Sequence, residues 1–191
     1  TLEELHKQRI LHHDIKPSNV LISTKGEAYL IDFGAAREWQ ADVNVQHTVL
    51  FTPGYAPLEQ MAERGKRGPA TDLYALSATA YHMLAGQAPP PSPERASGRE
   101  LPSLRILRPD LDTNVAEAIE QGLALKFGDR PRNILRFREL LAGPTLFTET
   151  STVEDYDKKA VRLRTFKIGA KECPSCGGLL EEPKPLKSDN C

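Results

Sequence analysis

Hydrophobic residues recur at helical spacing in several segments of the chain, most clearly over residues 72–84. Apolar side chains leave almost no polar face there, so we predict a helix that is buried on all sides. Thr71 and Asp72 can cap its start, and Gly86 can end it. The same spacing predicts further helices over 1–9, 113–125 and 133–142.

Two brief apolar runs in the first part of the chain, 20–22 and 28–31, are separated by the polar turn 23–26. This pattern predicts a small β-hairpin. Residues 32–69 show little periodicity and many Gly, Pro and Thr, which indicates a long loop, and loops of that length are usually functional. The six prolines of residues 87–109 leave little room for long helices there.

The composition excludes several classes of protein. The chain has 191 residues, of which 39% are hydrophobic and 27% charged, as in ordinary globular proteins. A net charge of −1 gives no basic field for nucleic acid or an anionic membrane. We find no run long enough to span a bilayer and no signal peptide, so we expect a cytoplasmic protein. Because the chain begins with Thr1 rather than Met, we expect a piece of a longer protein.

The three cysteines, Cys173, Cys176 and Cys191, all lie in the last nineteen residues. A disulfide-stapled domain would spread its cysteines through the fold, so this distribution indicates a reducing compartment. The pair Cys173 and Cys176, followed by two glycines, is typical of one half of a zinc site, and Cys191 can supply a third thiolate. We favour a partial zinc-ribbon-like module over 171–191, joined by a linker over 144–170, above a redox pair or free thiols.

The stretch His12–Asn19 carries the most informative chemistry. Asp14, Lys16 and Asn19 place a carboxylate, an ammonium and an amide at offsets 0, +2 and +5, and Asp32-Phe33-Gly34 begins thirteen residues after Asn19. Taken singly, Lys16-Pro17 can belong to an ordinary loop and Asp32-Phe33-Gly34 can be an ordinary turn. The predicted hairpin folds the chain back so that Asn19 and Asp32 can converge, and their oxygens are ligands suited to Mg²⁺.

These motifs resemble the C-terminal lobe of a protein kinase of the eukaryotic type found also in bacteria. The resemblance runs over residues 1–143 and implies a mainly α lobe with a small β-hairpin at the active site. The blocks that carry it, in family order, are His12-His13-Asp14 with Asn19, Asp32-Phe33-Gly34, Thr52–Gln60, Asp72–Leu76 and Asp129-Arg130-Pro131.

The resemblance implies transfer of the γ-phosphoryl group of Mg·ATP to protein Ser or Thr hydroxyls. Asp14 would orient the acceptor hydroxyl and take its proton, and Lys16 would lie beside the transferred phosphate. Asn19 and Asp32 would hold Mg²⁺. Leu21 would lie beneath the adenine, and Thr52 would bridge Asp14 and Lys16.

The resemblance also implies structural roles. His12 and Phe33 would be stacked members of the core, and Glu59 and Arg130 would form a buried ion pair. Asp72 would bond backbone N–H groups of the catalytic loop, because a charge in so apolar a stretch needs partners. From the sequence alone, Asp72 could equally be a simple helix N-cap.

Two departures from the family pattern matter. His13 stands where the usual Arg reads phosphorylation of the activation loop, so control through Thr48 is in doubt. The chain also lacks the parts that the family's N-terminal lobe supplies: the Gly-x-Gly-x-x-Gly loop over the phosphates, the strand lysine that binds the α- and β-phosphates, and the helix glutamate that pairs with that lysine. We therefore expect that the N-terminal lobe is absent and that this piece alone is inactive.

Two other functions stay open at this point. One is a pseudokinase or scaffold that binds protein partners without catalysis, although the intact Asp14, Lys16, Asn19 and Asp32 argue against it. In the other, the zinc module carries the function by binding nucleic acid or protein. Because the chain has no sustained basic patch, we expect no nucleic-acid partner.

Overall fold

The computed structural model describes residues 1–38, 51–62 and 66–143. This part of the chain is mainly helical, as predicted, and contains two small two-stranded sheets, of which the sequence predicts one. The helices are α1 (Leu2–Lys7), α2 (Leu58–Met61), α3 (Pro69–Ala85), α4 (Ser92–Ala96), α5 (Leu104–Leu107), α6 (Thr113–Gly122) and α7 (Ile134–Ala142). The strands are β1 (Ile10–Leu11), β2 (Val20–Ile22), β3 (Ala28–Leu30) and β4 (Arg37–Glu38).

Helix α3 is the centre of the hydrophobic core. Leu73, Tyr74 and Ala78 are fully buried, and α5, α6 and α7 pack around them. The helix begins at Pro69, three residues earlier than predicted, because Pro at the first helical position fits its fixed φ angle. Its end at Gly86, with φ of +74°, is confirmed; the Gly86 N–H donates to the His82 carbonyl over 2.9 Å.

The capping role expected of Thr71 is confirmed in part, because Thr71 caps the helix from its third position and not as the N-cap residue. The capping role expected of Asp72 is wrong. The N-cap position belongs to Gly68, and Thr71 lies three residues inside the helix. There the Thr71 Oγ1 accepts a hydrogen bond of 3.3 Å from the Gly68 N–H. Asp72 lies one residue further on, and its carboxylate bonds residues outside the helix.

Helices α3 and α6 approach each other closely at Gly122. A Cβ at this glycine would lie 1.9 Å from the Ser77 Oγ and 2.8 Å from the Ser77 Cβ. Ser77 is fully buried. The predicted helices α6 and α7 are confirmed, and residues 87–109 form only the short helices α4 and α5.

The predicted hairpin is confirmed as the antiparallel pair β2–β3, in which Val20 faces Leu30 and Ile22 faces Ala28. A second antiparallel pair, β1 with β4, and the short helix α2 fall where sequence patterns predict only loop or an unpaired segment. Both are too short for a periodic pattern to be recognised.

Among the described residues, no helix is both long and apolar enough to span a bilayer. The predicted linker over 144–170, the cysteine module over 171–191 and Thr48 lie outside the described residues.

Candidate active site

The loop that follows β1 is fixed to the core by one carboxylate. Asp72 is fully buried on α3, and its two oxygens accept hydrogen bonds of 2.9 Å each from the backbone N–H groups of His12 and His13. The His6 Nε2 of α1 contacts the Oδ2 of Asp72, also at 2.9 Å. These three donors compensate for the burial of the charge, so Asp72 positions the residues just before Asp14.

Two residues of the site have an uncommon backbone conformation. His13 and Asp32 have φ angles of +65° and +61°, in the left-handed region that non-glycine residues rarely adopt. The Gln60 side chain donates to the His13 carbonyl over 2.5 Å, and the Gly34 N–H donates to the Asp32 Oδ1 over 3.2 Å. Such conformations cost free energy and persist where the surroundings hold them in place, as at many active sites.

Asp14, Lys16 and Thr52 form a triangle at the open edge of the fold. The Lys16 Nζ lies 2.8 Å from the Asp14 Oδ2. The Thr52 Oγ1 donates to the Asp14 Oδ1 over 2.9 Å and accepts a bond of 3.3 Å from the Lys16 Nζ. Asp14 and Lys16 remain partly exposed, so a carboxylate and an ammonium meet where a substrate can reach both.

Asn19 links this triangle to the hairpin. Its amide nitrogen donates to the Asp14 carbonyl over 2.8 Å and to the Asp14 Oδ2 over 3.1 Å, which directs the amide oxygen away from Asp14. The Asn19 carbonyl accepts a bond of 2.9 Å from the Ile31 N–H. Asp32 follows Ile31 directly, so the hairpin brings the Asn19 and Asp32 side chains to the same end of the sheet.

The donor set at this end of the hairpin fits Mg²⁺. Asn19 offers an amide oxygen and Asp32 a carboxylate, both hard ligands. No group of three or more His, Cys, Asp or Glu side chains that could hold a metal occurs within the described ranges. A metal here would therefore take its other ligands from phosphate oxygens and water, which is the usual way in which proteins bind Mg²⁺.

The expected ring contact between His12 and Phe33 is observed, but the expected place of Phe33 in the core is wrong. His12 is fully buried and its Nε2 donates to the Ile31 carbonyl over 3.1 Å. Phe33 meets the His12 ring edge-on, at 5.0 Å between centroids and 62° between planes, and its side chain is 42% exposed. Phe33 therefore lies at the margin of the described core. Leu21, on β2, is also exposed, at 53%.

The predicted partners Glu59, on α2, and Arg130, after α6, are in direct contact. The Arg130 guanidinium donates to both oxygens of Glu59, over 2.6 and 3.1 Å. Its N–H groups also donate to three backbone carbonyls, those of Ala70, Ala124 and Leu125. Arg130 thus ties α2 to the start of α3 and to the segment after α6.

Comparison with known proteins identifies the family. The sequence model described as protein kinase domain matches residues 1–124, which is more than half of the chain. The chain belongs to the protein kinase domain family. It is 44% identical over 95 residues to the serine/threonine-protein kinase PknA of Nostoc sp., covering 46% of this chain and 16% of that protein. It is 34% identical over 142 residues to PknK of Mycobacterium tuberculosis, covering 68% and 12%.

Solved structures agree with this assignment. The apo form of PpkA-294 superimposes with a TM-score of 0.62 at 33% identity, covering 73% of this chain and 49% of that one. The ROP18 kinase domain in complex with AMP-PNP and sucrose gives a TM-score of 0.55 at 25% identity, covering 72% and 36%. The chain therefore spans less than half of either structure, and less than a fifth of the two curated relatives named above.

The kinase fold brings further polar residues to the site that no sequence pattern indicates. They act through partners far away in the chain: His6 bonds Asp72, Tyr55 bonds His82, and Ser92 bonds the backbone of Ala56. A single sequence shows no spacing that would connect such pairs.

Proposed function

We propose that the protein containing this chain is a serine/threonine-protein kinase that transfers the γ-phosphoryl group of Mg·ATP to Ser or Thr hydroxyls of protein substrates. The observation that carries the proposal is the Asp14–Lys16–Thr52 triangle, with the Asn19 and Asp32 oxygens at the adjacent end of the hairpin. Membership of the protein kinase family and the names of its relatives support the same reaction.

Each side chain has a defined task in this reaction. The free oxygen lone pairs of Asp14 orient the acceptor hydroxyl and take its proton as the new P–O bond forms. Lys16 donates hydrogen bonds to the transferred phosphoryl group, whose bond to the departing ADP oxygen breaks. Asn19 and Asp32 would hold Mg²⁺, which supplies the positive charge that balances the phosphates. Leu21 would contact the adenine.

Substitution in the natural full-length protein tests the proposal. We expect Asp14→Asn to lower turnover by about 10²–10⁴, the usual contribution of a general acid–base group. Asp32→Ala should abolish productive Mg²⁺ binding. Asp112→Asn is the matched control, because Asp112 caps α6 at an exposed position where Asn is an equally good cap. If both site variants phosphorylate a peptide at the wild-type rate, the roles proposed for Asp14 and Asp32 are refuted. If the wild-type protein itself transfers no phosphate, the scaffold function is favoured.

We further propose that residues 1–143 supply the acceptor side and the metal ligands of the active site, and that the nucleotide is covered by another lobe. Exposed apolar side chains on and just after the hairpin, Leu21, Ile22, Tyr29 and Phe33, support this arrangement. An isolated chain of residues 1–191 should then show no transfer activity, weak ATP binding and a tendency to aggregate. Tight ATP binding by calorimetry would contradict it.

The remaining predictions concern the tail and the cell compartment. Zinc binding by Cys173, Cys176 and Cys191 stays a prediction, which element analysis of the purified protein under reducing conditions would test. A cytoplasmic location likewise rests only on the sequence, and a fractionation experiment would check it.

A further inference from the structure

The residues that present Thr52 to Asp14 and Lys16 form one compact turn, residues 52–56, which we name the acceptor segment. The backbone N–H groups of Tyr55 and Ala56 both donate to the Thr52 carbonyl, over 3.1 and 3.2 Å. The position of Thr52 is therefore coupled to that of Tyr55 and Ala56. Whatever fixes these two residues also fixes the hydroxyl that bridges Asp14 and Lys16.

A buried serine holds the acceptor segment from one side. Ser92 begins α4, is fully buried, and donates through its Oγ to the Ala56 carbonyl over 2.8 Å. The bond is made to the backbone, so it fixes the path of the chain and not only one side chain. Without this donor the buried Ala56 carbonyl would have no hydrogen bond from Ser92, and an unsatisfied buried acceptor destabilises the structure.

A tyrosine–histidine pair holds the segment from a second side. The Tyr55 hydroxyl and the His82 Nδ1 are 2.5 Å apart, and their ring centroids are 6.1 Å apart. Burial raises the pKa of Tyr55, although the charge of Lys16 opposes the shift, so the phenol keeps its proton and can donate. His82 lies in the last turn of α3, the same helix that carries Asp72.

The two ends of α3 therefore hold the two halves of the reacting triangle. Asp72 near its start holds the loop that carries Asp14, and His82 near its end holds the segment that carries Thr52. Gly54 adds close packing: its φ is +86°, and a Cβ there would lie 3.2 Å from the Pro89 carbonyl oxygen. A side chain at position 54 would therefore crowd residues 88–89.

We propose that Ser92 and His82 are positioning residues that hold Thr52 at Asp14 and Lys16 and thereby set the binding of the acceptor hydroxyl. The inference rests on the proposed kinase function and deepens it. Neither residue touches the reacting atoms; each acts through the acceptor segment.

The test compares Ser92→Ala with Ser97→Ala in the full-length protein. Ser97 is the matched control, because its Oγ makes a similar bond, 3.0 Å to the Pro93 carbonyl, on the exposed side of α4. We expect Ser92→Ala to raise the KM for an acceptor peptide about two- to tenfold, the equivalent of one hydrogen bond, with the KM for ATP unchanged. Ser97→Ala should change neither constant.

Variants of His82 test the second contact and allow rescue. His82→Leu removes the partner of the Tyr55 hydroxyl and should raise the peptide KM, whereas His82→Asn keeps a hydrogen-bonding group near the Nδ1 position and should restore it in part. His82 is only half-buried, so these variants are expected to fold even if Ser92→Ala does not.

Hydrogen exchange separates this inference from the proposed function. The amides of Tyr55 and Ala56 should exchange faster in Ser92→Ala and in His82→Leu than in wild type, whether or not the protein transfers phosphate. A wild-type protein without transferase activity would contradict the proposed function, and exchange alone would then decide whether the two residues hold Thr52. Unchanged exchange, or faster exchange with an unchanged peptide KM in an active enzyme, would overturn the inference.

Discussion

Arg130 and Glu59, 71 residues apart in the sequence, form a two-point ion pair with N–O distances of 2.6 and 3.1 Å. The guanidinium is entirely shielded from solvent, and the carboxylate almost so. Tyr74 lies against the same guanidinium, 4.9 Å from its centre to the ring centroid. This pair therefore joins the short helix after the acceptor segment to the core.

Removal of one partner should be far more harmful than removal of both. We expect Arg130→Ala to lower the free energy of unfolding by about 3–5 kcal/mol, because it strands a buried carboxylate. The double change Glu59→Leu with Arg130→Met should cost less. Chemical denaturation of the chain measures both effects. Arg136→Ala, which breaks an exposed pair with Glu139, is the control and should cost at most about 0.5 kcal/mol. An Arg130→Ala midpoint equal to wild type would contradict the expectation.

Gly122 should tolerate no side chain. A methyl group there would overlap Ser77, so we expect Gly122→Ala to destabilise the fold by about 1–3 kcal/mol through overpacking. Adding Ser77→Gly should recover part of the loss, since it removes the atoms that clash. Gly128→Ala is the control, because a Cβ there meets nothing within 4 Å. Thermal melts of the three variants and the wild type would decide, and equal losses at Gly122 and Gly128 would be evidence against a tight helix contact.

Asp72→Asn tests how the loop that carries Asp14 is held. An amide offers one oxygen where the carboxylate offers two, so either the His12 or the His13 N–H would face another donor. We expect a loss of about 1–3 kcal/mol in unfolding free energy from the unsatisfied buried group. Asp112→Asn, at an exposed helix cap, should be neutral. If the two substitutions cost the same, Asp72 does not anchor the loop.

The surface pair Arg108 and Asp110 gives a pH-dependent prediction. The hydrogen bonds from Arg108 lower the pKa of Asp110 from 3.8 to about 2 in the folded chain. A carboxyl with a lowered folded pKa adds stability above its unfolded value, and that stability is lost as the pH falls through the folded value. We therefore expect the contribution to disappear between about pH 4 and pH 2. NMR titration should show the Asp110 pKa moved back toward its ordinary value in Arg108→Gln, and an unshifted pKa in wild type would disprove the effect.

Two kinds of element in the described chain are predictable because their sequence pattern is local: a long apolar helix and a pair of strands joined by a polar turn. Helix α3 and the hairpin follow from local periodicity, and the hairpin alone suffices to bring Asn19 and Asp32 together. The start of α3 is not predictable in this way, since Thr71 and Asp72 look like caps until their distant partners are known.

Contacts over long distances in the sequence explain the other differences. Strand β4 forms because it pairs with β1. Phe33 is exposed although it is hydrophobic, because burial depends on neighbours from other parts of the chain. The partners of His6, Tyr55 and Ser92 are from 27 to 66 residues away, so a single sequence contains no pattern that links them.

The hairpin between Asn19 and Asp32 affects how related sequences should be searched for. Its turn is exposed, and the bond from the Ile31 N–H to the Asn19 carbonyl closes it at the opposite end. The interval of thirteen residues between Asn19 and Asp32 therefore reflects only the length of the hairpin. Residues can be added or removed at the turn while the bond at the other end is kept. An insertion at the turn would lengthen the interval along the chain while the bond at the base still holds Asn19 and Asp32 at the same end of the hairpin. A search pattern with a fixed interval would miss such a chain, whereas one that requires two paired strands between the amide and the carboxylate would find it.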